Sequence, residues 1–422
     1  MFWQELTTGI YPWDIHDEGI ETILDNLQNL SGNNAAYMLA LMHHEKRPLH
    51  ANYYPHNPVR KRYIAEDSRC YFTIHEESYR HSRIKPLGSD REFLQGTDWL
   101  ELFVNGLRRR GMKTGAEISH TPLDSERGLR EFSDCLQRDV YGNTPKFGEY
   151  DIMTNQQLCW NSPDARDYVC AIAADLASHY DLDMIQTCSL PFNPGRLDYH
   201  SLLGVTLGGC FCKNCEREAR RQGLDWDAIV RTVRGLADMV SQANIDARED
   251  LLCLRQGDSS HTSFLIEYPE LYQWLCFRAR SFTAYLDQLC QTIHAANPRT
   301  EFRLNTCWKE GEMYGINLRE AGKVVDSIRM MDYSEQTGDR DRVYNKDKWL
   351  MNVRRMVGED KTIIAGIAPR HLATPELIKL GIRRVALAGA DGLSFGFYDG
   401  ACYENLRAIH EGMEEMGITL RK

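Results

Sequence analysis

The sequence predicts an α/β fold, a (β/α)8 barrel with long loops on its catalytic face. Three observations carry this. Short apolar runs alternate with longer amphipathic segments along almost all of the 422 residues, the pattern of parallel strands joined by helices. About eight such runs can be counted, the number that closes a barrel. The chain is also longer than the ~250 residues typical of that fold, and the surplus falls in segments that follow strands.

Taken in order, a helix over 17–30 leads into an apolar run at Ala35–Met42, read as the first strand. The amphipathic segment Trp99–Arg109 and the stop signal Gly111 precede a strand at 113–119. A short strand is expected near 150–156. Ser162 and Pro163 start the helix Pro163–His179 as N-cap and first helical residue. Further strands are read at 181–188, 302–307, 326–333, 362–369 and 392–398. Thr374 and Pro375 repeat the helix-starting signal for Pro375–Leu387, and a last helix covers 403–416. Repeats, low-complexity tracts and Gly/Ser linkers are absent from the sequence, so 1–422 reads as one elaborated barrel domain with insertions at about 43–88 and 190–267.

The second insertion carries Cys210-Phe211-Cys212-Lys213-Asn214-Cys215. Three thiols at C-x-C-x-x-C spacing let one loop wrap a soft tetrahedral metal, usually Zn²⁺. One ligand position is left for a residue elsewhere. The expected cofactor is a structural Zn²⁺, giving a metal-stabilised insertion after the fourth strand.

Composition excludes several classes. With 50 basic and 60 acidic residues the net charge is −10, which argues against a nucleic-acid partner. The basic triplet Arg108-Arg109-Arg110 fits the C-terminal end of a helix. No apolar run approaches the ~20 residues of a membrane span, and the first residues lack the pattern of a signal peptide. Thirteen scattered cysteines therefore read as reduced thiols in a cytoplasmic protein, with no membrane partner. The oligomeric state stays open, a homo-oligomer included. The sequence holds no P-loop or strand-linked G-x-G-x-x-G, and its nearest approach to a nucleophile elbow, at Gly392–Gly396, has no readable triad partners.

The stretch Cys159-Trp160-Asn161-Ser162-Pro163-Asp164-Ala165-Arg166, the strand after Asp181, and the cysteine cluster follow one another in an order that resembles the glycoside hydrolase family 42 β-galactosidases. The resemblance covers about 155–220 by motif. It implies that Cys159 is the fourth metal ligand, with Cys188 as the reserve, and that the substrate is a carbohydrate or glycoside. One departure matters. Those enzymes carry a glutamate at the end of the fourth strand and another at the seventh. Here the matching stretches are Gln186-Thr187-Cys188-Ser189-Leu190 and Gly366-Ile367-Ala368-Pro369-Arg370, without a carboxylate.

Residues at the C-terminal ends of barrel strands are the first candidates for chemistry. Asp332 closes the sixth strand and Glu117 sits near the end of its own, with His120 just beyond. These three are the expected catalytic groups. The structural alternative for Glu117 is an ion pair with an inward arginine such as Arg303. Asn305 can bridge sugar hydroxyls, and Trp308 and Tyr333 offer stacking faces. Arg370 and His371 suit an anionic or keto group, and Asp399 and His44 complete the expected substrate-binding set. A second metal built from His43 or His44, His120 and a carboxylate lacks supporting spacing. The aromatic residues Tyr53, Tyr54, Tyr71, Phe72 and Tyr79 either line a cleft or pack a long loop.

The leading expectation is an enzyme that hydrolyses a glycosidic bond with a non-standard carboxylate arrangement. The alternatives are a sugar lyase or isomerase using His and Tyr for proton transfer, and a non-catalytic sugar-binding barrel.

Overall fold

The computed structural model describes residues 1–42, 54–66, 68–119, 122–144, 157–188, 207–242, 265–306 and 311–421. Eight strands form the barrel: β1 Glu5–Ile10, β2 Ala35–Met42, β3 Lys113–Ile118, β4 Met184–Cys188, β5 Glu301–Thr306, β6 Ser327–Met330, β7 Thr362–Gly366 and β8 Gly392–Phe397. Neighbours pair in parallel in chain order, and β1 closes the ring by pairing with both β2 and β8.

One expectation needs correcting. The first strand is Glu5–Ile10 rather than Ala35–Met42, so the latter is the second and 113–119 the third. The run Glu5-Leu6-Thr7-Thr8-Gly9-Ile10 is fully buried yet mostly polar or small, so it carries no apolar signature. The expected strand at 150–156 lies outside the described residues, and the barrel closes without it. The expected helix at 17–30 is two short helices, Pro12–Glu18 and Ile20–Asn26, running into a π turn at Leu27–Ser31.

The inside of the barrel is polar and paired. Near the N-terminal ends, Arg303 donates to Glu5 (2.5 and 3.0 Å), to Glu301 (2.9 Å) and to Ser327 (2.8 Å). Higher up, Arg329 of β6 donates to Ser394 of β8 at 2.8 Å, lies 3.7 Å from Glu117 of β3 and sits 5.0 Å from the ring centre of Tyr37 of β2. Glu117 thus has an arginine partner, but it is Arg329; Arg303 serves the other end. Outside the strands, helices bury an apolar face on the barrel, as Pro375–Leu387 does with Leu377, Ile378, Ile382 and Val385. Thr374 caps that helix by accepting from the Leu377 amide. Ser162 occupies the N-cap position of Pro163–His179, but its side chain makes no capping bond.

The long connections follow β2, β3 and β4, all at the C-terminal mouth. The sequence pointed to those after β2 and β4; the one after β3 is a third. Tyr54, Tyr71, Phe72 and Tyr79 pack into the core rather than lining an open cleft. Arg108, Arg109 and Arg110 form ion pairs with Asp181, Asp183, Glu21 and Asp25 at the end of their helix, as the sequence suggested. No described helix is long and apolar enough to cross a membrane.

Candidate functional site

Two groups of carboxylates stand at the mouth. The first belongs to β3, β6 and the turns beyond them. Glu117 is buried and accepts from the amide of Gln186, its β4 neighbour. Burial raises its pKa, while Arg329 and the Gln186 bond pull it back down. Asp332 is buried two residues past β6, and its Oδ1 accepts from the Ser334 amide at 2.9 Å and from the Ser334 hydroxyl. Lys346 Nζ stands 3.8 Å from the same oxygen. That lysine is itself buried and donates to Glu335 (2.5 Å) and to the Gly366 carbonyl (3.0 Å). Glu335 accepts a further bond from the Ala368 amide at 3.1 Å. Only a glycine at 381 lets the helix Pro375–Leu387 lie over this pair, since a Cβ there would stand 2.2 Å from Glu335 Oε1.

The second group belongs to β1 and β8. Gly396, at φ +73°, makes a bulge in β8, and its carbonyl accepts from Thr8 (3.3 Å) and Tyr37 (3.0 Å). Beyond the bulge the Tyr398 amide donates to the Gly9 carbonyl at 3.0 Å, so the two strand ends stay tied. Asp399 follows, 1% exposed. Neither of its oxygens receives a well-formed hydrogen bond, the Gly400 amide making only a weak approach. Burial raises its pKa to about 7, against the pull of Arg370 and His56. Asp14, in the helix after β1, is fully buried. Its Oδ2 accepts from the Tyr11 amide at 3.0 Å and its Oδ1 has no partner. Burial and then the Asp399 charge hold its pKa well above the usual carboxylate range.

Glu18, next to this pair, accepts from the Tyr398 hydroxyl at 2.9 Å and meets His56 at 3.0 Å. Asp17 pairs with Arg60 and Asn57. Stacked rings line the same side: Trp13, Tyr11 and Phe397 at 4.5 and 4.7 Å between centres, and His56 against Tyr403 at 5.2 Å.

Arg370 links the two groups. Its guanidinium lies 5.4 Å from the ring centre of Tyr333 and acts on Asp399. Its Nε donates to Gln336 at 2.8 Å, while its Nη1 is buried without a hydrogen-bond partner. Asn305 is buried at the end of β5, Tyr333 is partly exposed, and His371 is exposed in a left-handed conformation (φ 57°). His43, His44, Tyr53, His120 and Trp308 lie outside the described residues. The sequence reading did not single out Asp14, Glu18, His56 or Lys346. Pro12 before a Trp-Asp pair was the available signal for the first, since it marks a helix start at the end of a strand.

The four cysteines form a separate centre. The ligand atoms of Cys159, Cys210, Cys212 and Cys215 all lie within 4.8 Å of one another. Cys159 Sγ is 3.5 Å from the sulfurs of both Cys212 and Cys215. That is too long for a disulfide and near the ~3.8 Å edge of a tetrahedron with 2.3 Å metal–sulfur bonds. Backbone or side-chain N–H groups of Arg138 and Asn161 point at three of the sulfurs, the outer support that thiolate ligands use. The arrangement is compatible with a structural metal. It ties the connection after β3 to the one after β4.

No family model matches the chain, and no curated protein matches its sequence. Solved structures match its fold. Superposition on α-L-fucosidase isoenzyme 2 from Paenibacillus thiaminolyticus gives a TM-score of 0.57 at 13% identity over 98% of this chain and 49% of the other. A β-galactosidase from Halorubrum lacusprofundi gives 0.56 at 14%, over 97% and 58%. The catalytic domain of a β-amylase from Paenibacillus polymyxa gives 0.54 at 10%, over 99% of each chain. The chain therefore spans about half the length of the fucosidase and somewhat more of the galactosidase. At such identities the likeness establishes the closed barrel shared with these sugar-cleaving enzymes.

Proposed function

We propose that the protein is a carbohydrate-active enzyme that hydrolyses a glycosidic bond at the C-terminal mouth of its barrel, with carboxylates other than a fourth-strand and seventh-strand pair. One observation carries the reading: carboxylates stand at the ends of β3, β6 and β8 around one mouth, in two different electrostatic settings. Hydrolysis needs that difference, because one carboxyl must give a proton while another stays charged. Asp332 is the charged member. Ser334 fixes its orientation and Lys346 faces the same oxygen. It activates water or attacks the sugar, according to whether the working carboxyls stand about 6.5–9.5 Å or about 5 Å apart. Glu117, one step deeper, holds Arg329 and Gln186 in place beneath the sugar. Tyr333 gives a stacking face, and Asn305, Arg370, His371, His44 and Trp308 are the remaining substrate contacts. His120 is a further proton-transfer candidate.

The test is a panel of nitrophenyl glycosides with wild type and Asp332→Asn. Turnover should fall roughly 10²-fold or more in the variant, with the melting temperature nearly kept. Normal turnover by folded variant overturns the role of Asp332. The names of the fucosidase, β-galactosidase and β-amylase support a glycoside as substrate class.

The four thiols fit Zn²⁺. Four sulfur donors fill a tetrahedron and leave no position for water, so the ion would be structural. Metal analysis should return one zinc per chain; less than about half an equivalent contradicts the assignment.

A further inference from the structure

We propose that Cys290, His294 and Asp326 form a second metal site, at the end of the barrel opposite the mouth, which takes Zn²⁺ and fastens a long helix to the strand starts. The inference is independent of the hydrolytic reading. Cys290 and His294 stand four residues apart in the last two turns of the helix Pro269–Ala296, the spacing that puts two ligands on one helical face. Asp326 immediately precedes β6. Its Oδ2 lies 2.8 Å from His294 Nε2 and 3.8 Å from Cys290 Sγ, and the sulfur is 3.9 Å from the same nitrogen. Three donors of three kinds thus converge from two elements.

These separations fit one ion. With bonds of about 2.3 Å to sulfur and about 2.0–2.1 Å to nitrogen and oxygen, a Zn²⁺ reaches all three atoms where they stand. The angle between its nitrogen and oxygen bonds is then about 85°, and sulfur makes about 120–125° with each. The ion so placed sits out of the plane of its three ligands, which leaves a fourth position. The His294 and Asp326 side chains are 41% and 35% exposed, so water can take that position. A thiolate and a carboxylate together cancel the charge of the ion. The Phe302 amide donates to Asp326 Oδ2 at 2.7 Å, the kind of outer bond that orients a ligating carboxylate. Thiolate and imidazole donors select Zn²⁺ over Mg²⁺ or Ca²⁺.

Asp326 and Phe302 stand at the starts of β6 and β5, on the face of a barrel that serves stability rather than chemistry. The helix Pro269–Ala296 buries Phe282, Leu286, Leu289 and Ile293 along the half that leads to this point. An ion at its C-terminal end ties it to Asp326, and through the Phe302 amide to β5. The four thiols would then hold the connections at one end of the barrel, and this site a helix end at the other. Without an ion the same residues are a His–Asp ion pair beside a buried thiol.

The experiment compares wild type with His294→Ala and Cys290→Ala, each dialysed free of loose metal and then titrated with Zn²⁺. Wild type should take up about one more equivalent per chain than either variant. Reading the difference cancels whatever the four-thiol centre holds. Zinc should also raise the melting temperature of wild type more than that of His294→Ala, because an ion bound only by the folded chain stabilises it. Co²⁺ in place of Zn²⁺ should give a thiolate-to-metal absorption band in the difference spectrum of wild type minus Cys290→Ala. Equal zinc uptake by wild type and His294→Ala overturns the site and leaves the ion pair alone. A difference spectrum without the band overturns the thiolate ligand, as does Mg²⁺ taken up as readily as Zn²⁺. Extra zinc with no extra rise in melting temperature overturns the fastening role.

Discussion

The two sides of the barrel mouth handle buried charge in opposite ways. On the β3 and β6 side every described carboxylate is held by a cation or by donors: Glu117 by Arg329, Asp332 and Glu335 by Lys346. On the β1 and β8 side Glu18 and Asp17 are also paired, but Asp14 and Asp399, as deeply buried, have almost nothing. Paired charges fix a shape. Unpaired ones hold protons at a pH where solvent-exposed carboxyls have none. One rim therefore holds rigid, charged groups and the other holds buried carboxyls that keep their protons to higher pH.

The largest effect should come from breaking the paired side. Lys346→Met leaves Glu335 buried without its cation and removes the ammonium beside Asp332. Unfolding free energy should drop by about 3–5 kcal/mol, measured by denaturant titration. A loss below about 1 kcal/mol, the worth of an exposed pair, means the pair is not buried in solution and the contrast fails.

The unpaired side should respond with the opposite sign. The folded-state pKa of Asp399 is raised to about 7, so the native protein holds a proton that the unfolded chain releases near pH 4. Its contribution to stability is intact below that pH and is lost as pH rises through 7. Asp399→Asn should therefore match wild type near pH 4 and exceed it by about 2–4 kcal/mol at pH 8. A variant less stable than wild type at pH 8 contradicts this.

How far the site was legible follows from the same physics. β2 to β8 show as short runs set between amphipathic stretches, the strand–helix alternation of a barrel. β1 does not, since its buried residues include Glu5, Thr7, Thr8 and Gly9, and the missed strand hid Asp14 just beyond it. The cysteine cluster was legible because metal geometry imposes spacing on sequence. Asp399 was visible only as a strand-end residue; its burial and lack of partners depend on β1, the β2 connection and β7, which are far away in the chain. The Lys346 link was equally invisible, since lysine, glutamate and the covering Gly381 become neighbours only when the helices pack.

The smallest expected effect lies at the rim, outside both sets. His371 is exposed and left-handed (φ 57°). His371→Gly should raise stability by up to about 1 kcal/mol, read as a slightly higher melting temperature. No gain would show that contacts at this position hold its backbone.

The contrast between the two rims is tested most directly by the pH dependence of stability in wild type and Asp399→Asn, each unfolded in denaturant from pH 4 to pH 8. The two curves should meet near pH 4 and part as pH rises through 7, wild type falling below the variant. Curves that run parallel over that range would contradict the account.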